Sequence, residues 1–365
     1  MVIIPKIDTA FAKLTRINNS NGIFLITNGF RYKIRAKYFL LGEGQAHMNK
    51  LLISMYHYTR DLKHSRYPEI KGLDAELFRK QMEFFRDNCN VVRMEQVIEA
   101  VKGGIELPEN AVLLTFDDGY ADNYTFAFPI LEEFGFQGSF FIPGKTFTTH
   151  QLLDVNKIHY ILASADITKL VVDVKEKTDY YRGQEFDYPS TQDLWDKYAT
   201  DERFDGKEVI FVKRMLQTVL PEKLRNRISS DLFEKYVGVT EEQLAYELYM
   251  TSEQIRTLKR HGMFIGLHGY DHYWLGNLSP EQMREDISQA LDTMDEFIDS
   301  KAWVMNYPYG NSNDDVLKFI KEKGACLGLT TDVRVAEIGK DNPLLLPRMD
   351  CNDFPPKSEN YKKWL

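Results

Sequence analysis

Leu113-Leu114-Thr115-Phe116-Asp117-Asp118-Gly119-Tyr120 is the stretch whose reading decides the fold. Ala111 to Phe116 is an apolar run bounded by Pro108 and Gly119, the pattern of a buried strand. Two adjacent carboxylates stand at its C-terminal end, followed by a glycine that permits a sharp turn. In α/β sheets, chemistry gathers outside the carboxyl ends of the strands. Two aspartates this close repel, and a shared site raises one pKa unless a cation lies between them. Asp-Gly is also a common turn dipeptide. The stretch alone therefore leaves an ordinary strand-to-turn reading open.

His268-Gly269-Tyr270-Asp271-His272 supplies the context. It too follows a short apolar stretch, Met263 to Leu267, in a chain with only eight histidines. Two His at this spacing can face one ion from a single helical turn or from a loop. One carboxylate of the Asp-Asp pair completes a set of one Asp and two His. Such a set suits zinc or a similar divalent ion, with positions left open for water and substrate.

With both motifs in view, the sequence resembles the polysaccharide deacetylase family, metal-dependent de-N-acetylases that share the NodB homology domain. Thr115 to Gly119 is similar to that family's first motif, and His268 to His272 to its second. Asn306-Tyr307-Pro308-Tyr309-Gly310 resembles the third. The three occur in family order and cover the chain from about Leu51 to Asp353. The resemblance implies Asp117 as general base and Asp118, His268 and His272 as ligands of a divalent ion, with zinc the expected one. It also implies that the backbone N–H of Tyr309 faces the oxyanion.

Two departures stand out. The Arg that often opens the third motif and pairs with the base is replaced by Asn306, and no His follows His272. The family branch that deacetylates biofilm poly-N-acetylglucosamine carries a Tyr-His on its first strand instead. Ser54-Met55-Tyr56-His57-Tyr58 is similar to it, which makes His57 the expected acid. Arg348, after a terminal strand-like run, is the candidate to orient Asp117 in place of the missing Arg.

The rest of the chain bounds this reading. It has 365 residues, 43% hydrophobic and 27% charged, with no apolar run near the roughly 18 residues needed to cross a bilayer. A net charge of −8 argues against a nucleic-acid surface. Three cysteines without metal-type spacing fit a reducing compartment better than a disulfide framework.

Residues 1–47 carry seven Lys/Arg against Asp8 and Glu43, a balance of +5 that leaves −13 for the remainder. They read as an extension without a catalytic role, with Met48 a plausible start; a basic arm that touches a membrane surface or a partner is the rival reading. No signal-peptide core is visible, so a cytoplasmic location is expected.

The expected fold is α/β, a distorted (β/α) barrel of the NodB type over residues 48–144 and 251–356, with a tail at 357–365. A mostly helical insertion is expected at 145–250, overhanging the site. Within it, Val155–Ala163, Lys207–Leu220 and Glu222–Tyr236 show helical spacing, whereas Asp179–Phe204 reads as loops. Tyr180, Tyr181, Tyr188 and Trp195 either stack on sugar or pack the insertion's own core. Ala325–Leu329 and Leu344–Leu346 read as the last strands.

The resemblance implies hydrolysis of an N-acyl amide, N-acetyl first, on an amino sugar that is polymeric, lipid-linked or nucleotide-linked. A deformylase or other amide hydrolase of the same fold, or an inactive carbohydrate-binding homologue, are the alternatives.

Overall fold

Nine strands form one sheet, and their order explains where the chemistry collects. The computed structural model describes residues 49–364, together with an antiparallel pair Ile23–Thr27 and Phe30–Ile34. The remaining expectations for residues 1–47 lie outside the described residues. The chain divides into two units, 1–47 and 48–365.

In the larger unit the strands are β1 (Asn49–Tyr56), β2 (Asn90–Val91), β3 (Ala111–Phe116), β4 (Gly138–Ile142), β5 (Phe264–Leu267), β6 (Trp303–Asn306), β7 (Ala325–Leu329), β8 (Ala336–Ile338) and β9 (Met349–Asp350). They run in the order β7-β6-β5-β4-β3-β1-β8; β9 also pairs with β1, and β2 with β3. All pairs are parallel except β8 with β1. Leu346 bridges Leu329 at the end of β7, and Met349–Asp350 pairs with β1. The short segment 346–350 thus joins the two sides of the curled sheet, and the architecture is the expected distorted (β/α) barrel.

Both faces of the sheet are apolar, as a parallel sheet covered on both sides requires. Leu51, Ile53, Leu113, Phe141, Val304 and Leu327 form one buried cluster, while Leu52, Tyr56, Val112, Leu114 and Phe116 belong to the other. Alternation with a period of two carries this division past the end of each strand. Leu113, Thr115 and Asp117 share a face, as do Leu51, Ile53, Met55 and His57, and Val304 with Asn306.

Helices α1 (Ala75–Asn88), α2 (Met94–Val101) and α3 (Phe128–Phe134) precede the insertion, with the short α4 (Gly144–Thr148) at its entry. Asp74 caps α1 by accepting from Glu76 N–H, as its position in the sequence suggests. Pro129 is accommodated because a π-helical turn over Asn123–Ala127 precedes α3, which puts the proline in the first turn. After the insertion come α11 (Ser252–Arg260), α12 (Pro280–Met294) and α13 (Asp314–Glu322), the first two opened by the capping boxes Thr251/Gln254 and Ser279/Gln282.

Within the insertion lie α5 (Asp154–Ser164), α6 (Ile167–Tyr181), α7 (Thr191–Tyr198), α8 (Lys207–Arg214), α9 (Glu222–Val237) and α10 (Glu241–Leu248). Their apolar faces meet in a core that includes Ile158, Phe211, Leu224 and Phe233. The chain returns to the barrel beside the Asp-Asp turn, where Met250 N–H donates to Gly119 O at 2.9 Å.

Two expectations are corrected. Asp179–Phe204 is not all loop: α6 runs to Tyr181, and Ser190 caps α7. In α6 the β-branched residues mask an amphipathic pattern that buries Leu170, Val171, Val174 and Thr178 behind an Asp166 cap. Leu344–Leu346 is not a strand, because Pro343 and the Asn342 side chain impose a 3₁₀ turn there; Ala336–Ile338 and Met349–Asp350 pair instead. Lys207–Leu220 is helical as expected, its second half a π-helical turn over Met215–Val219.

The C-terminal tail is docked, with Tyr361 packed edge-on against Phe84 at 5.6 Å. Among the described residues no helix is long and apolar enough to cross a membrane.

Candidate active site

The Asp-Asp turn leaves β3 into the middle of the sheet. Asp118 adopts φ 71° and Gly119 φ 69°, and this left-handed pair swings both carboxylates to the same cavity. Only five described non-glycine residues have positive φ, and Asp118, His272 and Tyr309 are three of them. Left-handed backbone at non-glycine residues costs roughly 1–3 kcal/mol each, and it concentrates at functional sites. All three motifs therefore hold strained residues at one place.

Asp117 is buried at 2% exposure and clamped by Arg348, itself 1% exposed. Nη1 donates to Oδ1 at 2.8 Å and Nη2 to Oδ2 at 2.9 Å, a bidentate pair. Arg348 also donates to Thr115 Oγ1 at 3.2 Å and, through Nε, to Thr330 O at 2.9 Å. Burial opposes ionisation of Asp117, but the charge of Arg348, followed by His57, outweighs it and holds the carboxyl below its ordinary range. His57 Nε2 lies 3.8 Å from Asp117 Oδ2, with the imidazole partly open to the cavity.

Asn306, on β6, has both side-chain polar atoms buried without a partner among the described residues. Arg348 reaches Asp117 from the segment that closes the barrel. The guanidinium missing from the third motif is thus present in space, though not in sequence order.

On the other side of the turn, Asp118 Oδ1 faces His268 Nε2 at 3.3 Å and His272 Nε2 at 3.2 Å. His268 Nδ1 lies 2.6 Å from Asn306 O. A carbonyl oxygen can only accept, so Nδ1 carries the proton, and in the neutral ring Nε2 presents a lone pair to Asp118. Lone pair against carboxylate is repulsive unless a cation lies between them. Asp118 Oδ1 is buried and has no hydrogen-bond donor among the described residues. The three ligand atoms lie within 4.8 Å of one another, so the donor set fits a divalent ion.

The supports of this set run deep. Tyr120 Oη donates to Asp118 Oδ2 at 2.5 Å, and burial followed by the Asp118 charge keeps that phenol protonated. Asn156, on insertion helix α5, donates to Tyr120 Oη at 2.6 Å and to Tyr58 Oη at 2.8 Å, and accepts from Tyr249 Oη. The loop between the two histidines is pinned by Asp286, which accepts from Tyr270 N–H at 3.0 Å and Asp271 N–H at 2.8 Å. Tyr309 stacks on Trp274 with centroids 4.3 Å apart and packs edge-on against His272.

These residues line a cavity of about 290 Å³ that brings together His57, Asp117, Asp118, His268, His272, Tyr309 and Arg348. Its opposite wall comes from the insertion and includes His159, Glu202, Asp205, Lys213 and Arg214. Sequence reasoning expected the insertion to overhang the site but did not single out these wall residues, nor Tyr120, Asn156 and Tyr249. Only Tyr120 carried a local signal, two residues beyond Asp118. Tyr180, Tyr181, Tyr188 and Trp195 do not line the cavity; Trp195 packs on Phe211 at 4.9 Å, and Tyr188 Oη donates to Thr178 O.

Comparison with known proteins agrees with this architecture. The polysaccharide deacetylase family model matches residues 104–174 and 232–327, which include Asp117, Asp118, His268, His272 and Tyr309. The putative polysaccharide deacetylase YxkH of Bacillus subtilis (strain 168) is 20% identical over 284 residues, covering 78% of this chain and 65% of that protein. The poly-beta-1,6-N-acetyl-D-glucosamine N-deacetylase of Escherichia coli (strain K12) is 37% identical over 89 residues, 24% of this chain and 13% of that one. The chain thus spans less than two thirds of the length of either relative. Among solved structures, the Streptococcus pyogenes deacetylase PplD in complex with acetate aligns over 86% of this chain and 97% of its own, with a TM-score of 0.53 at 18% identity. Matched segments that carry all three motifs, on a fold shared with a deacetylase, lead to one conclusion: the chain matches the polysaccharide deacetylase family model across residues 104–174 and 232–327 and is similar to proteins of that family.

Proposed function

We propose that the protein is a metal-dependent hydrolase that removes an N-acyl group, N-acetyl in the first instance, from an amino sugar of a surface glycan or its precursor. One observation carries this reading. Asp118 Oδ1 sits between two histidine Nε2 atoms, while Asp117, one residue away, is clamped by Arg348 and faces His57. The two aspartates are thereby given different work. A divalent ion, zinc the expected one, would be held by Asp118, His268 and His272, and when bound it supplies Lewis acidity and lowers the pKa of water.

Asp117 takes the proton of the attacking water; Arg348 keeps its carboxylate ionised and aimed. The backbone N–H of Tyr309 is assigned to the developing oxyanion. His57 returns a proton to the nitrogen, since an amine leaves poorly until it is protonated. The N-terminal Tyr56-His57 pair is what likens this site to the poly-N-acetylglucosamine branch. The name of the E. coli relative supports an N-acetylated amino sugar as the substrate class.

The test is release of acetate and formate, measured in parallel, from polymeric, lipid-linked and nucleotide-linked N-acyl amino sugars. Activity should disappear on chelation and return with zinc. Acetate release that survives removal of all metal overturns the mechanism, and formate without acetate replaces the acetyl assignment with a deformylase. Sugar binding without release of either acid favours the inactive homologue.

A further inference from the structure

The insertion lines the cavity's outer side, and the lining segment is tied to the barrel by ion pairs. Glu202 and Asp205 line the cavity from the insertion side, and helix α8 adds Lys213 and Arg214. This wall holds itself together through ion pairs, Asp205 with Lys213 at 2.6 Å and Glu202 with Arg214 at 2.6 Å. The same short segment is tied to the barrel unit at two separate points. Lys71 donates to Phe204 O at 3.0 Å and pairs with Asp205, while Arg203 pairs with the fully buried Asp353. Four consecutive residues, 202–205, thus run from an anchor in the loop after β1 to one just beyond β9.

The other side offers little room. A neighbouring compartment shares His272 and Tyr309 with the cavity but measures only about 40 Å³. At about 290 Å³, the main cavity stands at the lower end of the roughly 300–1,000 Å³ of small-molecule sites. That is room for one acylated sugar ring, without neighbouring rings on both sides.

We propose that the latched segment 202–205 and helix α8 make the catalytic cavity a dead-end pocket, which admits a single terminal or free N-acyl amino-sugar residue and excludes internal residues of a polymer. This inference rests on the de-N-acylation reading above and narrows its substrate. The paired charges of the wall give alternating donors and acceptors at no net charge, which suits the hydroxyls of a neutral sugar ring. Selection is by fit: an internal residue needs two exits from the pocket, and on this proposal the latched wall stands across one of them.

The experiment uses the full chain loaded with zinc, and a length series of linear N-acetylglucosamine oligomers together with the free monosaccharide. Acetate is quantified, and the deacetylated position is read by fragmentation mass spectrometry. The expected result is one deacetylated residue per chain, at a terminus, with kcat/KM that does not rise with chain length. Activity on the monosaccharide and on oligomers alike identifies the ring alone as the recognised unit; activity on oligomer ends alone adds one neighbouring unit at the mouth.

Lys71→Ala and Arg203→Gln unlatch the segment without touching a cavity-lining residue. Each should bring internal deacetylation and a rise in kcat/KM on the longest oligomers, with zinc content unchanged. Lys71→Ala is the milder change, because Asp205 keeps Lys213, and it carries the test if Arg203→Gln does not fold. Internal deacetylation by the unmodified protein, or kcat/KM that climbs with length, overturns the proposal while leaving the function intact. Acetate from no member of the series, with zinc bound, overturns the de-N-acylation reading beneath it.

Discussion

Asp117 and Asp118 are the same residue type one bond apart in sequence, yet their surroundings separate their roles. Asp117 has an arginine and Asp118 has two histidines, and neither neighbour could serve both. The Arg348 clamp makes a pH prediction whose sign comes from its parts. Burial alone would raise the Asp117 pKa, and Arg348 reverses that. A depressed carboxyl contributes stability above its unfolded value, roughly pH 4, and loses it as the pH falls through the folded value. The acid limb of kcat/KM should therefore lie below the ordinary carboxylate range. Arg348→Leu removes the largest charge opposing burial and should move that limb to higher pH, with Arg348→Lys intermediate. The variant should also be destabilised, since breaking a buried pair costs about 3–5 kcal/mol. A limb that stays in place in Arg348→Leu removes Asp117 from the role of base. His57 makes a second prediction at this scale. His57→Ala should keep zinc and lose about 10²–10⁴ in kcat, with the alkaline limb flattened, because that limb reports loss of the donated proton. A near wild-type rate would place the acid elsewhere.

At the scale of elements, the site depends on a helix that the barrel does not own. Asn156 of α5 ties together Tyr58, Tyr120 and Tyr249, and Tyr120 orients Asp118. Outer partners of a ligand typically set 10- to 100-fold of metal affinity. Asn156→Leu fills much the same volume but strands the phenols, so zinc affinity, read by competition with a chromophoric chelator, should fall by about that factor. Unchanged affinity in a folded variant would mean that the network serves only the packing of α5. These elements also mark what the sequence makes legible. A strand leading into Asp117-Asp118 and a second leading into His268 could each be read, because period two and a terminal polar residue are local signals, whereas Arg348 follows an expected strand that is a 3₁₀ turn and stands just before β9. The Asn156–Tyr120 bond links residues 36 apart and the Arg203–Asp353 pair residues 150 apart, with no period to announce either. Helix α6 was hidden for a different reason. Its β-branched Ile167, Val171, Val172 and Val174 favour strands in isolation, and burial of one face in the insertion core overrides that preference.

For the molecule as a whole, the division of labour is between a sheet that supplies reactive groups and an insertion that supplies a wall. Residues 1–47 form a unit of their own. Strand β1 begins at Asn49, next to the boundary between the two units, and Asn49 pairs with Ile338. A chain that starts at Met48 therefore keeps every described ladder of the nine-stranded sheet and every candidate catalytic or ligand residue, from His57 to Arg348. It should fold with an unchanged melting temperature, bind zinc equally well, and turn over a soluble sugar at the full rate. Charge gives the shortened chain a second readout. Removing residues 1–47 takes away +5 and leaves −13, so any attraction of the basic arm for an anionic surface must vanish with it. Co-sedimentation with anionic vesicles at low and high salt separates the two readings of this segment. Salt-sensitive binding by the full chain alone identifies a basic arm, and no binding by either chain identifies an extension without that role. Insolubility of the shortened chain, or loss of its zinc, would instead make residues 1–47 part of the folded enzyme.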